Sequence, residues 1–234
     1  RSVAFWVRMP PPPPDATPPR ASVIKAWIHW SNEMSSATTP ALRRVLNAAV
    51  AQFARHGYEG ASLSHIAADA GIRKASLYSH VKNKDALFRA VFEDALQIET
   101  RFARECFAHP DPSLPGQRYC EALQARYADS EHLRFLLRAS YIPSEALFHE
   151  FQQGYEGYMQ QLLAGFTAAL RRHVRGALSD RDAEVMGHAF MGMVDSLHVA
   201  LIYIGQERFE ARLHALERLM RDSIDRLNEG ERHD

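Results

Sequence analysis

The chain has 234 residues, of which 46% are hydrophobic and 24% charged, with 28 basic side chains balanced by 28 acidic ones. That is the profile of an ordinary soluble protein with a sizeable core, and its neutral total singles out no partner. Two cysteines, Cys106 and Cys120, exclude a disulfide-rich secreted scaffold, leaving two buried inert thiols or a redox-sensing pair. No run of about 18 apolar residues is present, so neither a transmembrane helix nor a membrane partner is expected. Residues 1–8 lack the apolar stretch and cleavage site of a signal peptide, and a cytoplasmic location is expected.

The charge is unevenly placed. Between Pro40 and Ala90 eight basic residues outnumber three acidic ones, a net of +5 that leaves −5 for the rest. A basic module on an acidic body suits a polyanion-binding segment.

Residues 1–38 differ in character from the rest of the chain. Pro10 to Pro14 is an unbroken proline run, and Trp6, Trp27 and Trp30 lack periodic partners. The segment reads as a disordered tail or a mis-assigned upstream extension, the alternative being a tail that binds something. Thr39-Pro40 then opens the first helix, on which Leu42, Val45, Leu46, Ala49, Val50 and Phe53 recur at helical spacing until Gly57 stops it. A second helix is predicted from Ser62 to Gly71 and a third from Arg73 to Ser79. Asn83 caps a fourth that runs towards Cys106.

The stretch from His109 to Gly116 holds three prolines and marks a junction. Two helices fit between Gly116 and Tyr141, broken near Asp129-Ser130. A long one starts at Pro143-Ser144-Glu145 and runs towards Arg175. Another, opened by Ser179-Asp180-Arg181-Asp182, ends near Gly205, and the last covers about Arg208 to Leu227. Neither alternating strands nor a hairpin dipeptide is present. The fold class is therefore all-α, with about nine helices.

The informative segment runs from Ser62 to Leu87. Ile66, Ala67 and Ala70 form one face of a short helix, Gly71 sits where positive φ is easiest, and Ile72 and Leu77 return to the core. This spacing describes a helix-turn-helix whose second helix can fill a major groove. Arg73 and Lys74 stand at its start, with Ser76, Tyr78 and His80 after them. Lys84 opens the next helix, whose dipole favours phosphate.

These residues resemble the tetracycline-repressor (TetR) family. The pattern reads Phe53, Gly57-Tyr58, Ile66-Ala67, Ala70-Gly71-Ile72, Leu77-Tyr78, His80 and Lys84-Asp85-Ala86-Leu87, over about residues 40–90. The resemblance implies a three-helix DNA-binding domain (residues 39–85) joined by its fourth helix to a ligand-binding and dimerisation domain (86–230). By position, Ser62 would cap helix two and touch phosphate. Arg73, Lys74, Ala75 and Ser76 would face the groove, while Tyr78, His80 and Lys84 would grip the backbone. Ala61, His65, Arg73 and Ala75 depart from the family's usual threonine, acidic residue, serine and glycine. The lost serine cap is expected to weaken the third helix by roughly 1 kcal/mol.

In the second half, two helices with broad apolar faces are expected to bury one side and offer the other to a second copy, giving a homodimer through the last two helices. Its two reading helices would sit about 34 Å apart, one DNA turn. An effector pocket is expected among Phe102, Tyr119, Tyr127, Phe135, Tyr141, Phe148, Phe151, Tyr155, Tyr158, Met159 and Phe166, a set suited to an apolar or flat ligand. His188, Asp195 and His198 share a face of one helix, and His188 and Asp195 join the candidate ligand contacts. No metal or other cofactor is expected. The implied function is a ligand-responsive repressor. Control by cysteine oxidation or a protein partner is the alternative, and a helical enzyme the remote one, with no nucleophile–base pair or phosphate loop to support it.

Overall fold

The computed structural model describes residues 39–109, 113–141 and 148–230; the expectations for residues 1–38 and for the helix start at Pro143 lie outside them. The described residues form nine helices: α1 (Pro40–Gly60), α2 (Leu63–Asp69), α3 (Lys74–Leu77), α4 (Lys84–Ala108), α5 (Gln117–Asp129), α6 (Glu131–Tyr141), α7 (Phe148–His173), α8 (Asp180–Tyr203) and α9 (Gln206–Gly230).

Local chemistry sets most of the boundaries. Proline occupies the first position of α1, where its missing N–H breaks no helical bond. Gly57 ends the first helical run of α1, as expected: its φ of 70° and ψ of −176° are not helical. A separate short turn then runs to Gly60, so Pro40–Gly60 is two helical pieces meeting at a kink. The Arg138 guanidinium lies 3.1 Å from where a Cβ would stand, so a side chain here would meet both backbone strain and a neighbour. Asn83 Oδ1 accepts from Ala86 N at 2.8 Å, capping α4 as expected. Ser179 Oγ accepts from Asp182 N at 3.0 Å and donates to the Asp182 carboxylate at 2.6 Å, giving α8 a reciprocal cap. Ser130 breaks α5 from α6, its Oγ accepting from Leu133 N at 3.1 Å.

The described residues from Ala41 onward pack as one unit. α4 packs against α6 and α7, α7 against α8, and α8 against α9. Phe53 of α1 meets Phe88 of α4 edge-on at 4.7 Å, and Phe88 meets Phe135 of α6 and Phe151 of α7 at 5.0 and 5.1 Å. These rings join α1 and α4 to α6 and α7 in one packed core. Such edge-to-face contacts align the positive ring edge of one phenyl with the negative face of the next.

One buried charge ties α4 to the α5–α6 corner. Glu99 is wholly buried, and its carboxylate accepts from Arg126 Nε and Nη2 at 3.1 and 2.9 Å and from Ser130 Oγ at 2.9 Å. The bidentate pair keeps that charge tolerable away from water.

Helix α8 departs from the sequence expectation: it is long and apolar enough to cross a membrane. It lies between α7 and α9, with Phe190, Val194 and Leu197 buried and His198 and Asp195 bound to tyrosines. A helix enclosed by others in a bundle can be apolar on much of its surface.

Candidate nucleic-acid interface and effector site

The reading corner is built by α2, a tight turn and α3. Ser62 caps α2, its Oγ accepting from Ser64 N at 3.2 Å. At the other end Gly71, with φ of 70°, donates its N–H to Ala68 O at 3.0 Å, and Ile72 N donates to Ala67 O at 2.9 Å. This pair of bonds around a left-handed glycine is the Schellman ending, which satisfies two otherwise orphaned carbonyls. It turns the chain so that Leu77, wholly buried, packs α3 near Ile66 and Ala67.

Helix α3 is shorter than expected, Lys74–Leu77 rather than Arg73 to Ser79, and residues 78–80 continue as turns. Its cap position holds Arg73, whose side chain makes no capping bond, in keeping with the expected loss of the serine. Four residues without a side-chain cap do not hold a helix alone; the anchoring of Leu77 and the bonds from His80 N and Val81 N to Leu77 O do.

The side chains expected to contact DNA differ in exposure. Arg73, Lys74, Ala75 and Ser76 are exposed, Tyr78 is 51% exposed, and Ser62 and His80 are half-buried. Ser79 and Lys82, absent from the sequence-predicted site, are exposed beside them. Lys82 has a signal in the basic count, but its place relative to α3 depends on the turn geometry. Lys84 is less free than expected. Its ammonium donates to Glu59 O at 3.2 Å and lies 4.6 Å from the Tyr58 ring centre. The Tyr58 hydroxyl donates to the Asp85 carboxylate, and this bond, with burial, pushes the phenol up to about 12. Lys84 therefore ties the end of α1 to the start of α4, with one of its three N–H donors committed to Glu59 O.

The expected effector residues divide into three groups. Phe151 is buried in the aromatic core against Phe92 at 4.3 Å, and Phe135 and Phe166 are also core. Phe102, under the Arg126 guanidinium at 4.7 Å, and Tyr127 are half-buried beside that core. The third group is polar and internal. Tyr119 and Tyr158, both wholly buried or nearly so, share a 2.8 Å bond. Tyr155 donates to Tyr141 at 3.2 Å, Tyr141 donates to Asp195 at 2.8 Å, and Tyr155 lies 3.4 Å from His198 Nδ1. Burial raises the Tyr141 and Tyr155 phenols far above their ordinary value and pushes His198 down to about 3, so all three are neutral near pH 7. Burial also raises Asp195, against the pull of its Tyr141 bond.

His188 is a correction. Its side chain is 75% exposed, 3.9 Å from Glu184, and takes no part in this cluster. Ten residues is nearly three helical turns, and the accumulated rotation puts His198 inside while His188 faces outward. The Phe148 side chain lies outside the described residues. Among the described residues no group of three or more His, Cys, Asp or Glu is placed to hold a metal ion, and both cysteines are buried thiols outside any disulfide.

Comparison with known proteins bears on both halves. Residues 45–91 match the family model of bacterial regulatory proteins, tetR family. A stretch of 50 residues is 48% identical to the HTH-type transcriptional repressor SCO4008 of Streptomyces coelicolor, spanning 21% of this chain and 26% of that protein. The crystal structure of SCO4454, a TetR-family transcriptional regulator from Streptomyces coelicolor, superposes with a TM-score of 0.61 at 21% identity, over 83% of this chain and 95% of that one. The fatty acid degradation regulator FadR from Bacillus halodurans superposes with a TM-score of 0.58 at 17% identity, over 78% and 95%. At such identities the likeness outside the N-terminal region is one of fold. Residues 45–91 thus carry the sequence pattern of bacterial regulatory proteins of the tetR family, and the described residues share the fold of solved TetR-family regulators.

Proposed function

We propose that this protein is a DNA-binding transcriptional repressor that acts as a homodimer and leaves its operator when a small apolar or aromatic effector enters the helical body. The observation that carries the DNA-binding reading is the corner itself. Arg73, Lys74 and Ser76 stand exposed on a rigid turn whose inner side is fixed by Ile66, Gly71 and Leu77. Positive side chains on a rigid projection displace condensed counterions from duplex DNA, which supplies affinity, and their fixed spacing supplies register.

The outer faces of α8 and α9 support self-association. Val185, Ala189 and Gly192 on α8 and Ala211, Ala215 and Leu219 on α9 are exposed at helical spacing, with Val185 at 58% and Leu219 at 64%. Small residues between larger apolar ones let helices from a second copy approach closely, and an isologous pair would present two corners to one DNA face. Helix α4 supports coupling. Its 25 residues span about 37 Å, from the Lys84 end beside the corner to Glu99 and Phe107 in the body. An effector that favours one placement of α4 would bias the corners accordingly, provided it binds the two states unequally.

Burial of both thiols favours a small effector over cysteine oxidation, because oxidants attack exposed thiolates. The test is fluorescence anisotropy with the duplex upstream of the protein's own gene at low salt, together with sedimentation of the free protein. Saturable binding by a dimer, weakening linearly in log–log salt dependence, is expected. A monomer that binds no such duplex refutes the reading.

A further inference from the structure

His198 is wholly buried in α8, and its Nε2 has no hydrogen-bond partner among the described residues. Its Nδ1 is the start of a directed chain. Asp195 accepts only, so Tyr141, which has a single proton, gives it to that carboxylate at 2.8 Å. Tyr141 must then accept at 3.2 Å from Tyr155, whose own proton is thereby spent. The 3.4 Å contact between Tyr155 and the imidazole is left to a proton on Nδ1. A neutral imidazole carries one N–H, so the chain fixes the tautomer and leaves Nε2 as a bare acceptor lone pair. Burial prevents relief by protonation, since it disfavours the imidazolium. A buried acceptor without a donor is a standing cost that an arriving donor removes.

We propose that His198 Nε2 is the polar anchor of the effector site, accepting a hydrogen bond from a hydroxyl or N–H on an otherwise aromatic or apolar molecule. This rests on the effector-controlled reading above and gives that effector a chemical class. The surroundings define the rest of the class. The Tyr141 ring meets the imidazole edge-on at 6.2 Å, the Tyr155 ring lies 6.0 Å from that of Tyr141 and 6.1 Å from that of Tyr158, and Val194 one helical turn before His198 is buried. The one charged member of the chain is the Asp195 carboxylate, which repels anions. A bare lone pair also rejects carbonyl and ether oxygens. The site is therefore selective for a donor rather than for polarity in general.

Two shape-matched probe pairs test this on the full chain: phenol against anisole, and indole against N-methylindole. Titration calorimetry is run with wild type, His198→Phe and Tyr155→Phe, with folding checked by circular dichroism. In wild type the donor member of each pair binds saturably, at down to roughly millimolar dissociation constants for molecules this small. It outbinds its methylated partner by about tenfold or more, the weight of one buried hydrogen bond. In His198→Phe that ratio falls to near one. Should that variant fail to fold, Tyr155→Phe carries the test: it frees the Nδ1 proton to move to Nε2, and the ratio narrows. Equal binding within each pair overturns the anchor, as does an unchanged ratio in the variants. Failure of all four probes to bind also overturns it, a buried water then being the partner of Nε2. DNA affinity measured in parallel separates the two readings. A compound that releases DNA without donor preference removes the anchor and leaves effector control standing. A wild type that binds the donor probes but no DNA does the reverse.

Discussion

The reading corner and the helical body place their polar side chains in opposite ways. At the corner Arg73, Lys74 and Ser76 project outward, and the inside is apolar. In the body Glu99, Arg126, Ser130, Tyr141, Tyr155 and His198 turn inward and bond to one another. The corner thus holds its shape without its functional residues, whereas the body's shape depends on its polar ones. Substitutions should separate binding from stability in the first region and entangle them in the second.

The largest expected effect tests the second half of that contrast. Arg126→Ala strands the wholly buried Glu99 carboxylate and should cost about 3–5 kcal/mol, read as a lower urea midpoint. An effect below about 1 kcal/mol would mean that water reaches Glu99 and that the body is less tightly closed. A pH series sharpens the same point. His198 is held neutral down to about pH 3 when folded but accepts a proton near 6.5 when unfolded. The unfolded state binds the extra proton between those values, so the penalty is absent above pH 6.5 and grows as pH falls, by at most about 1.4 kcal/mol per unit. His198→Phe should flatten that limb of the stability curve relative to wild type.

The corner tests the first half. Lys74→Glu should weaken DNA binding by about tenfold to a hundredfold and reduce the salt slope by about one, while stability moves by no more than about 0.5 kcal/mol. Loss of fold instead would break the comparison. Lys84→Glu should do both, because its ammonium also ties Glu59 O to α4. Gly154→Ala should cost about 1–3 kcal/mol, since a Cβ there would stand 2.7 Å from the Phe92 ring and 2.8 Å from Leu96. The smallest effect is Asn83→Ala, about 1 kcal/mol through the lost cap of α4.

How far each region is legible in the sequence depends on the range of its interactions. The bonds that cap α2 and shape the turn after it join residues no more than five apart: Ser62 to Ser64, Gly71 to Ala68, Ile72 to Ala67. Residue type and spacing express such contacts directly, so the turn, the exposed basic side chains and the helix caps at Asn83 and Ser179 are all legible. The exceptions involve distant partners. Lys84 looks free in the sequence because Glu59 lies 25 positions away, and α3 is short because a single anchor, Leu77, holds it. In the body His188, Asp195 and His198 look equivalent by periodicity, yet His188 is exposed away from the cluster, Asp195 is exposed but bound to Tyr141, and His198 is buried.

By itself, then, the amino-acid order determined an all-helical chain, the places where its helices start and turn, and a corner with cationic side chains pointing away from its core. Only the tertiary structure decided which polar groups are enclosed, how the tyrosine chain runs from His198 to Asp195, and that one ring nitrogen is left waiting for a proton donor. Helix periodicity and capping act over a turn or two of chain, whereas burial and tautomer are set by residues up to 54 positions apart that meet only when α6, α7 and α8 pack.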